Sequence, residues 1–214
     1  EGSQETLLAA ALAALAGRGA VRERQHGPTE ALVLLPRLDA AEAAVAARVR
    51  EMLAGTGPSR SVPPGAAIED IERRVGLELA PLQRVAVETA LGSPLTVVTG
   101  GPGTGKTTLV RCLVELVRDG GAEVLLAAPT GRAAKRLGEA TGHDARTLHR
   151  LLEFNPATGE FARNRHHPLQ ADLVVVDETS MLDVELAARL FEAVPPQSRQ
   201  VLVGDADQLP SVGP

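Results

Sequence analysis

One stretch of this 214-residue chain carries an obvious chemical load: TGGPGTGKTT, residues 99–108, where Gly100, Gly105, Lys106 and Thr107 satisfy the spacing G-x-x-x-x-G-K-[ST]. Glycines so placed let backbone N–H groups turn inward around phosphate oxygens. The helix that follows adds its positive end, the ammonium of Lys106 neutralises the outer phosphates, and the Thr107 hydroxyl is available to Mg²⁺. The candidate cradle is Gly101, Pro102, Gly103, Thr104, Gly105, Lys106, Thr107 and Thr108. Lysine usage points the same way. Only Lys106 and Lys135 are lysines among 22 basic side chains, so a compact ammonium stands where arginine is the chain's habit, and it suits a wrapped phosphate better than a planar fork does.

A phosphate loop needs a second element to hold the metal and aim a water. VVVDE, residues 174–178, supplies it: a buried apolar strand delivers Asp177 as the metal-binding acid, with Glu178 beside it as general base. The plainer alternative is a strand ending in helix-capping acids, since Ser180 and Asp183 open a helix. VLVGDADQLPSVGP, residues 201–214, poses a related question, because a short apolar strand runs into the polar cluster Asp205, Asp207 and Gln208. If that strand lies near the Asp177 strand, Gln208 reaches the terminal phosphate from the side and senses it.

These residues require a scaffold that brings strand ends together. Residues 1–54 read as a small unit: a helix with Leu8, Leu12 and Leu15 on one face ending at Gly17, a hairpin turning at Gly27 and Pro28, and a second helix opened by an Asp39/Glu42 capping box. Residues 55–67 read as a linker. Residues 68–214 then alternate. A helix starting at Pro81 leads to a strand over 95–99, a helix to about 118, a strand over 124–128 and helices over about 131–137 and 148–152. A strand over 173–176, a helix over 182–193 and a strand over 201–203 complete the series. Continuously apolar strands separated by helices predict a parallel sheet covered on both faces, an α/β fold with ligands at the carboxyl ends of the strands.

Composition narrows the classes. Hydrophobic residues make up 44% of the chain, enough for a core, and the net charge is −5, which argues against a general nucleic-acid coat. Yet residues 128–170 hold seven basic side chains (Arg132, Lys135, Arg136, Arg146, Arg150, Arg163, Arg165) against four acids, and four of the five histidines. That segment is either a basic patch or a solvated loop region. With one cysteine, Cys112, there is no disulfide framework and no cysteine-based zinc site; Cys112 reads as a packed side chain. The apolar run at 6–16 is too short to span a bilayer, and acids precede it, so the chain reads as cytoplasmic with no membrane partner. His166 and His167 read as part of a basic loop rather than a metal pair. The only rings besides histidine are Phe154, Phe161 and Phe191, which predicts a grip on phosphates more than on bases.

The ordered series GGPGTGKTT, APTGRAAKRL (128–137), ARTLHRLL (145–152), VVVDETSMLD (174–183) and VGDADQLPSVGP (203–214) resembles the motifs of RecD-like superfamily-1 DNA helicases, across residues 80–214. Residues 1–54 resemble the small region before the motor in that family only loosely. The resemblance implies a RecA-like ATPase core, the first of two, with ATP and Mg²⁺ as cofactors and single-stranded DNA as partner. It places Gln83, in LAPLQRVAV, at the adenine-recognition position and residues 103–108 on the phosphates. Thr107 and Asp177 fall on Mg²⁺, Glu178 on the water and Gln208 on the γ-phosphate. Pro129, Thr130, Gly131, Arg132, Thr147 and His149 fall on DNA. It implies 5′ to 3′ polarity and a second core, absent from this chain, that supplies arginines to the γ-phosphate. This chain alone is then expected to bind Mg-ATP and turn it over weakly. Whether nuclease-complex subunits join it is not readable from the residues. Two rival readings stay open: a P-loop kinase of small molecules, and a nucleotide-gated module that binds DNA or protein without hydrolysis.

Overall fold

The computed structural model describes residues 2–27, 30–55 and 66–205. Pro28, the middle of the expected linker and Gln208 lie outside the described residues. The first unit consists of α1 (Gly2–Gly17), the antiparallel hairpin β1 (Arg22–His26) and β2 (Glu30–Leu34), and α2 (Pro36–Ala54). The expected capping box is not formed. Helix α2 begins earlier, with Pro36 in its first turn and Leu35 as an extended N-cap that offers no side-chain acceptor, as suits proline's fixed φ and missing N–H. Asp39 and Glu42 are instead drawn to the hairpin. Asp39 accepts from Arg22 at 3.0 Å and Arg24 at 3.1 Å, and Glu42 from Arg24 at 3.0 Å.

Helix α3 (Ala66–Val75) starts within the segment expected to be linker. Its Ile68 and Ile71 are fully buried in the main core. Then come α4 (Pro81–Gly92), β3 (Leu95–Thr99), α5 (Lys106–Asp119), β4 (Val124–Ala128), α6 (Gly131–Thr141), β5 (Ala145–Thr147) and α7 (Leu148–Leu151). A two-residue-per-strand hairpin follows, β6 (Phe154–Asn155) and β7 (Glu160–Phe161). Strand β8 (Leu173–Val176), a 3₁₀ turn over Thr179–Met181, α8 (Val184–Ala193) and β9 (Arg199–Gly204) complete the described chain. Helix α6 runs four residues past its expected end, because nothing breaks it before Gly142, whose φ of 76° closes it in the left-handed conformation.

The five strands β3-β9-β8-β4-β5 form one parallel sheet. Period-two alternation divides it cleanly. Leu173, Val175, Val201 and Val203 face a core shared with α3, α4 and α5, while Val174 and Val176 face α7 and α8. That is why β8 reads as four apolar residues in a row: both of its faces are covered. Cys112 is buried in the first core, where loss of solvent pushes its thiol pKa up to about 11.

Helix α2 packs along α8. Buried Arg48 donates through Nε to the Phe191 carbonyl at 3.1 Å and through Nη2 to the Val194 carbonyl at 2.8 Å. Both acceptors lie at the end of α8, where carbonyls lack intrahelical partners and a cation is favoured. Arg165 reaches back to Glu51 of α2. Among the described residues no helix is long and apolar enough to cross a membrane.

Candidate active site

The sheet order decides what meets. Strand β9 lies between β3 and β8, with Thr99 opposite Gly204 and Val176 opposite Leu202. The glycine-rich loop after β3 and the acids after β8 therefore leave the same edge of the sheet, one strand apart, and β9 ends between them at Gly204. The condition set for Gln208, that its strand lie beside the Asp177 strand, is met, although Gln208 itself is outside the described residues.

In the loop, Gly103 (φ 75°) and Gly105 (φ 78°) occupy the left-handed region, which residues with a Cβ enter at a cost. Helix α5 begins directly at Lys106. The Lys106 ammonium donates to the carbonyls of Gly101, at 2.9 Å, and Gly100, so it is folded back over the loop. Thr104 Oγ1 donates to the Gly101 carbonyl at 2.9 Å, and Thr107 is exposed.

Asp177 is half-buried. Burial raises its pKa above the ordinary carboxylate range; the Glu178 N–H, which donates to Oδ1 at 2.9 Å, and the charge of Lys106 pull it back down. A half-buried carboxylate is ionised most readily with a cation beside it, which makes Asp177 a candidate seat for a divalent ion. With the Thr107 hydroxyl, the donor set is all oxygen, which suits Mg²⁺. Thr107 and Asp177 would hold that ion, and its chemistry there would be to neutralise phosphate charge.

Glu178 sits at φ 55°, an uncommon conformation for a non-glycine residue, costing on the order of 1–3 kcal/mol. It is held from three sides. Its N–H engages Asp177, its carbonyl accepts from Met181 N at 3.1 Å, and Thr179 Oγ1 donates to the Val203 carbonyl at 3.0 Å. Gly204 makes room for this joint, since a Cβ there would stand 2.7 Å from Thr179 Oγ1. Asp183 does cap α8, accepting from Leu186 N at 2.7 Å. The capping alternative for this segment thus describes Asp183, while Asp177 and Glu178 lie upstream of the helix.

The residues expected on nucleic acid gather at the next pair of strand ends. Ala128 pairs with Thr147, so the starts of α6 and α7 are neighbours. Thr130 Oγ1 accepts from Ala133 N and Thr147 Oγ1 from Arg150 N, each at 3.2 Å. Each cap satisfies one N–H and leaves others of the first turn available. Arg132, Arg136 and Arg150 are exposed and have no carboxylate partner among the described residues, whereas Arg146, Arg163 and Arg165 are paired with Asp144, Glu153 and Glu51. His149 packs with Phe154 (ring centroids 5.3 Å apart) and Phe161 (5.8 Å), themselves 4.9 Å apart. Phe191 is buried, whereas half-buried Phe154 and Phe161 join exposed His149 in a ring cluster that a count of rings does not reveal. Its signal was the turn FNPATGEF, in which Asn155 Oδ1 accepts from Ala157 N and Gly159 takes φ 72°. His166 and His167 are exposed and donate their backbone N–H groups to Asn164 Oδ1.

Gln83 makes two hydrogen bonds within the chain. Its Oε1 accepts from Ala80 N and its Nε2 donates to the Thr104 carbonyl, both at 2.9 Å. It bridges the start of α4 and the phosphate loop.

The AAA domain family model matches residues 83–214. The ATP-dependent RecD2 DNA helicase of Deinococcus radiodurans is 42% identical over 185 residues, covering 86% of this chain and 25% of that protein. The RecBCD enzyme subunit RecD of Mycolicibacterium smegmatis is 47% identical over 176 residues, covering 71% and 32%. Among solved structures, the Pif1 helicase from Candida albicans matches with a TM-score of 0.49 and 26% identity, over 64% of this chain and 34% of that one. The chain thus spans a quarter to a third of the length of these two curated relatives. A glycine-rich loop and an acid pair at one edge of a parallel sheet, within sequences this similar, place the chain in the AAA domain family, as a region of the RecD-like superfamily-1 helicases.

Proposed function

We propose that this chain is the nucleotide-binding first core of an ATP-dependent DNA helicase motor, working with a second core to move 5′ to 3′ along single-stranded DNA. The observation that carries the reading is the strand order, which puts the Lys106 loop after β3 and the Asp177–Glu178 pair after β8 at one edge of the sheet, on either side of β9. In this reading the loop N–H groups and Lys106 bind the phosphates of ATP. Thr107 and Asp177 hold Mg²⁺, which supplies charge neutralisation. The Glu178 carboxylate accepts the proton of the attacking water. The exposed arginines and helix starts at β4 and β5 grip the phosphates of the strand. The polarity and the second core rest on the family resemblance, and the nucleic-acid substrate on the relatives described as DNA helicases.

Removing the ammonium with Lys106→Ala should abolish DNA-stimulated ATP hydrolysis in the protein carrying both cores. It should also weaken Mg-ATP binding to this chain by about 100-fold, the loss of a charge-assisted phosphate contact. Stimulation that survives the substitution would refute the assigned loop.

A further inference from the structure

Gln83 has two engagements, and they face different ways. Its carbonyl oxygen takes the Ala80 N–H, closing the first turn of α4 as the third residue of a capping box does, while its amide nitrogen donates to the Thr104 carbonyl in the phosphate loop. The contact is close-fitting. A Cβ on Gly105 would stand 2.2 Å from Gln83 Nε2, so the loop passes close beneath the amide, and a side chain at 105 would push the amide aside. Gly105 is also the residue whose left-handed backbone (φ 78°) launches α5 and Lys106. Helix α4 is itself anchored, with Val87, Ala90 and Leu91 buried in the main core. A side chain fixed at one end to an anchored helix and at the other to Thr104, directly above Gly105, can set the position of the loop's N–H groups before any ligand arrives.

We propose that Gln83 is a positioning residue for the phosphate loop, so that it governs affinity for the triphosphate itself and not only for the base. The proposal rests on the phosphate-loop reading above. It differs from an adenine-reading role in what it demands of a ligand that has no base: a group that only recognises adenine is irrelevant to inorganic tripolyphosphate, whereas a group that shapes the loop is not.

The test is calorimetric titration of this chain with Mg-ATP, Mg-GTP and Mg-tripolyphosphate, in the wild type, Gln83→Met and Gln83→Glu. Methionine keeps the length without charge or hydrogen bonds. Glutamate keeps the acceptor for Ala80 N–H, and so the start of α4, loses the donor to Thr104 and adds a negative charge, so its loss of affinity sets an upper bound on that of the hydrogen bond. Both variants should bind Mg-GTP and Mg-tripolyphosphate about five- to tenfold more weakly, and Mg-ATP by at least that factor, as the loss of one organising hydrogen bond implies. Should Gln83→Met fail to fold, judged by thermal unfolding, Gln83→Glu must still show the loss with tripolyphosphate. A defect confined to ATP, or tripolyphosphate affinity unchanged in both variants, overturns the proposal. Failure of the wild type to bind any of the three overturns the phosphate-loop reading instead, and the proposal with it.

Discussion

Two pairs of strand ends on one sheet are prepared in opposite ways. At β3 and β8 the side chains are engaged with their own surroundings: Lys106 lies on loop carbonyls, Gln83 on Thr104, Asp177 on the Glu178 N–H, and Glu178 is strained. At β4 and β5 the two threonines cap their helices, and Arg132, Arg136 and Arg150 stand exposed without carboxylate partners among the described residues. Under the proposed function, the difference follows from the demands of each task. Placing a metal and a water requires groups held within tenths of an ångström in partly desolvated ground, where charges are strong. Gripping a sliding polyanion requires only accessible positive charge and free N–H groups, and fixed pairing would hinder release.

The sharpest way to break this contrast is at Glu178. In the protein carrying both cores, Glu178→Gln should lower ATP turnover by about 10²- to 10⁴-fold while leaving Mg-ATP and single-stranded DNA affinities within about twofold. Single-turnover hydrolysis and two binding titrations check this. Equal losses in turnover and nucleotide affinity would show that Glu178 binds rather than activates.

Next in size is the other edge. Replacing Arg132, Arg136 and Arg150 together by alanine should weaken single-stranded DNA binding by about tenfold at low salt. It should also flatten the dependence of log K on log salt by about 2, as three lost phosphate contacts imply. Mg-ATP affinity should be unchanged. If the salt slope stays put, the arginines are solvated surface and the basic patch is elsewhere.

A smaller effect separates cap from contact. Thr130→Ala and Thr147→Ala should each cost about 1 kcal/mol in urea unfolding through loss of an N-cap. Thr→Ser, which keeps the acceptor, should restore stability. If serine restores stability but not DNA affinity, the threonine methyl has a role beyond capping.

The smallest effect concerns pH. Burial holds the folded-state pKa of Asp177 above its unfolded value. Its contribution therefore favours the magnesium-free fold at pH below the unfolded pKa, and that contribution is lost as pH rises through the folded pKa. Magnesium needs the carboxylate, so the Mg²⁺ dependence of nucleotide affinity should weaken as pH falls through the same window. Asp177→Asn should remove both trends. Thermal unfolding and nucleotide titration against pH, with and without Mg²⁺, measure them.

Local spacing is legible where one segment carries its own pattern. The phosphate loop needs glycines and a lysine within eight residues, and the acid strand needs four apolar residues and two carboxylates. Failures came where two segments compete for one group. Asp39 and Glu42 have capping-box spacing, yet the hairpin arginines take both, and the helix starts at Pro36 instead. Strand β5 is three residues long with an exposed arginine at its centre. No periodicity reveals it, because it exists only by pairing with β4. Arg48 reads as a surface cation in an amphipathic helix until α8 ends against it.

The chain's own order of residues marked the groups proposed to carry chemistry: a lysine in a glycine run, carboxylates at a strand's end, arginines clustered over one stretch. These are covalent facts of spacing, and short-range sterics do the rest. The insertion of β9 between β3 and β8, the bridge from Gln83 to Thr104 and the joint between Thr179 and Val203 were decided only on folding. Each joins segments some 20 or more residues apart, and contacts at that range are chosen by which faces of the sheet must be buried, a property of the whole packed core.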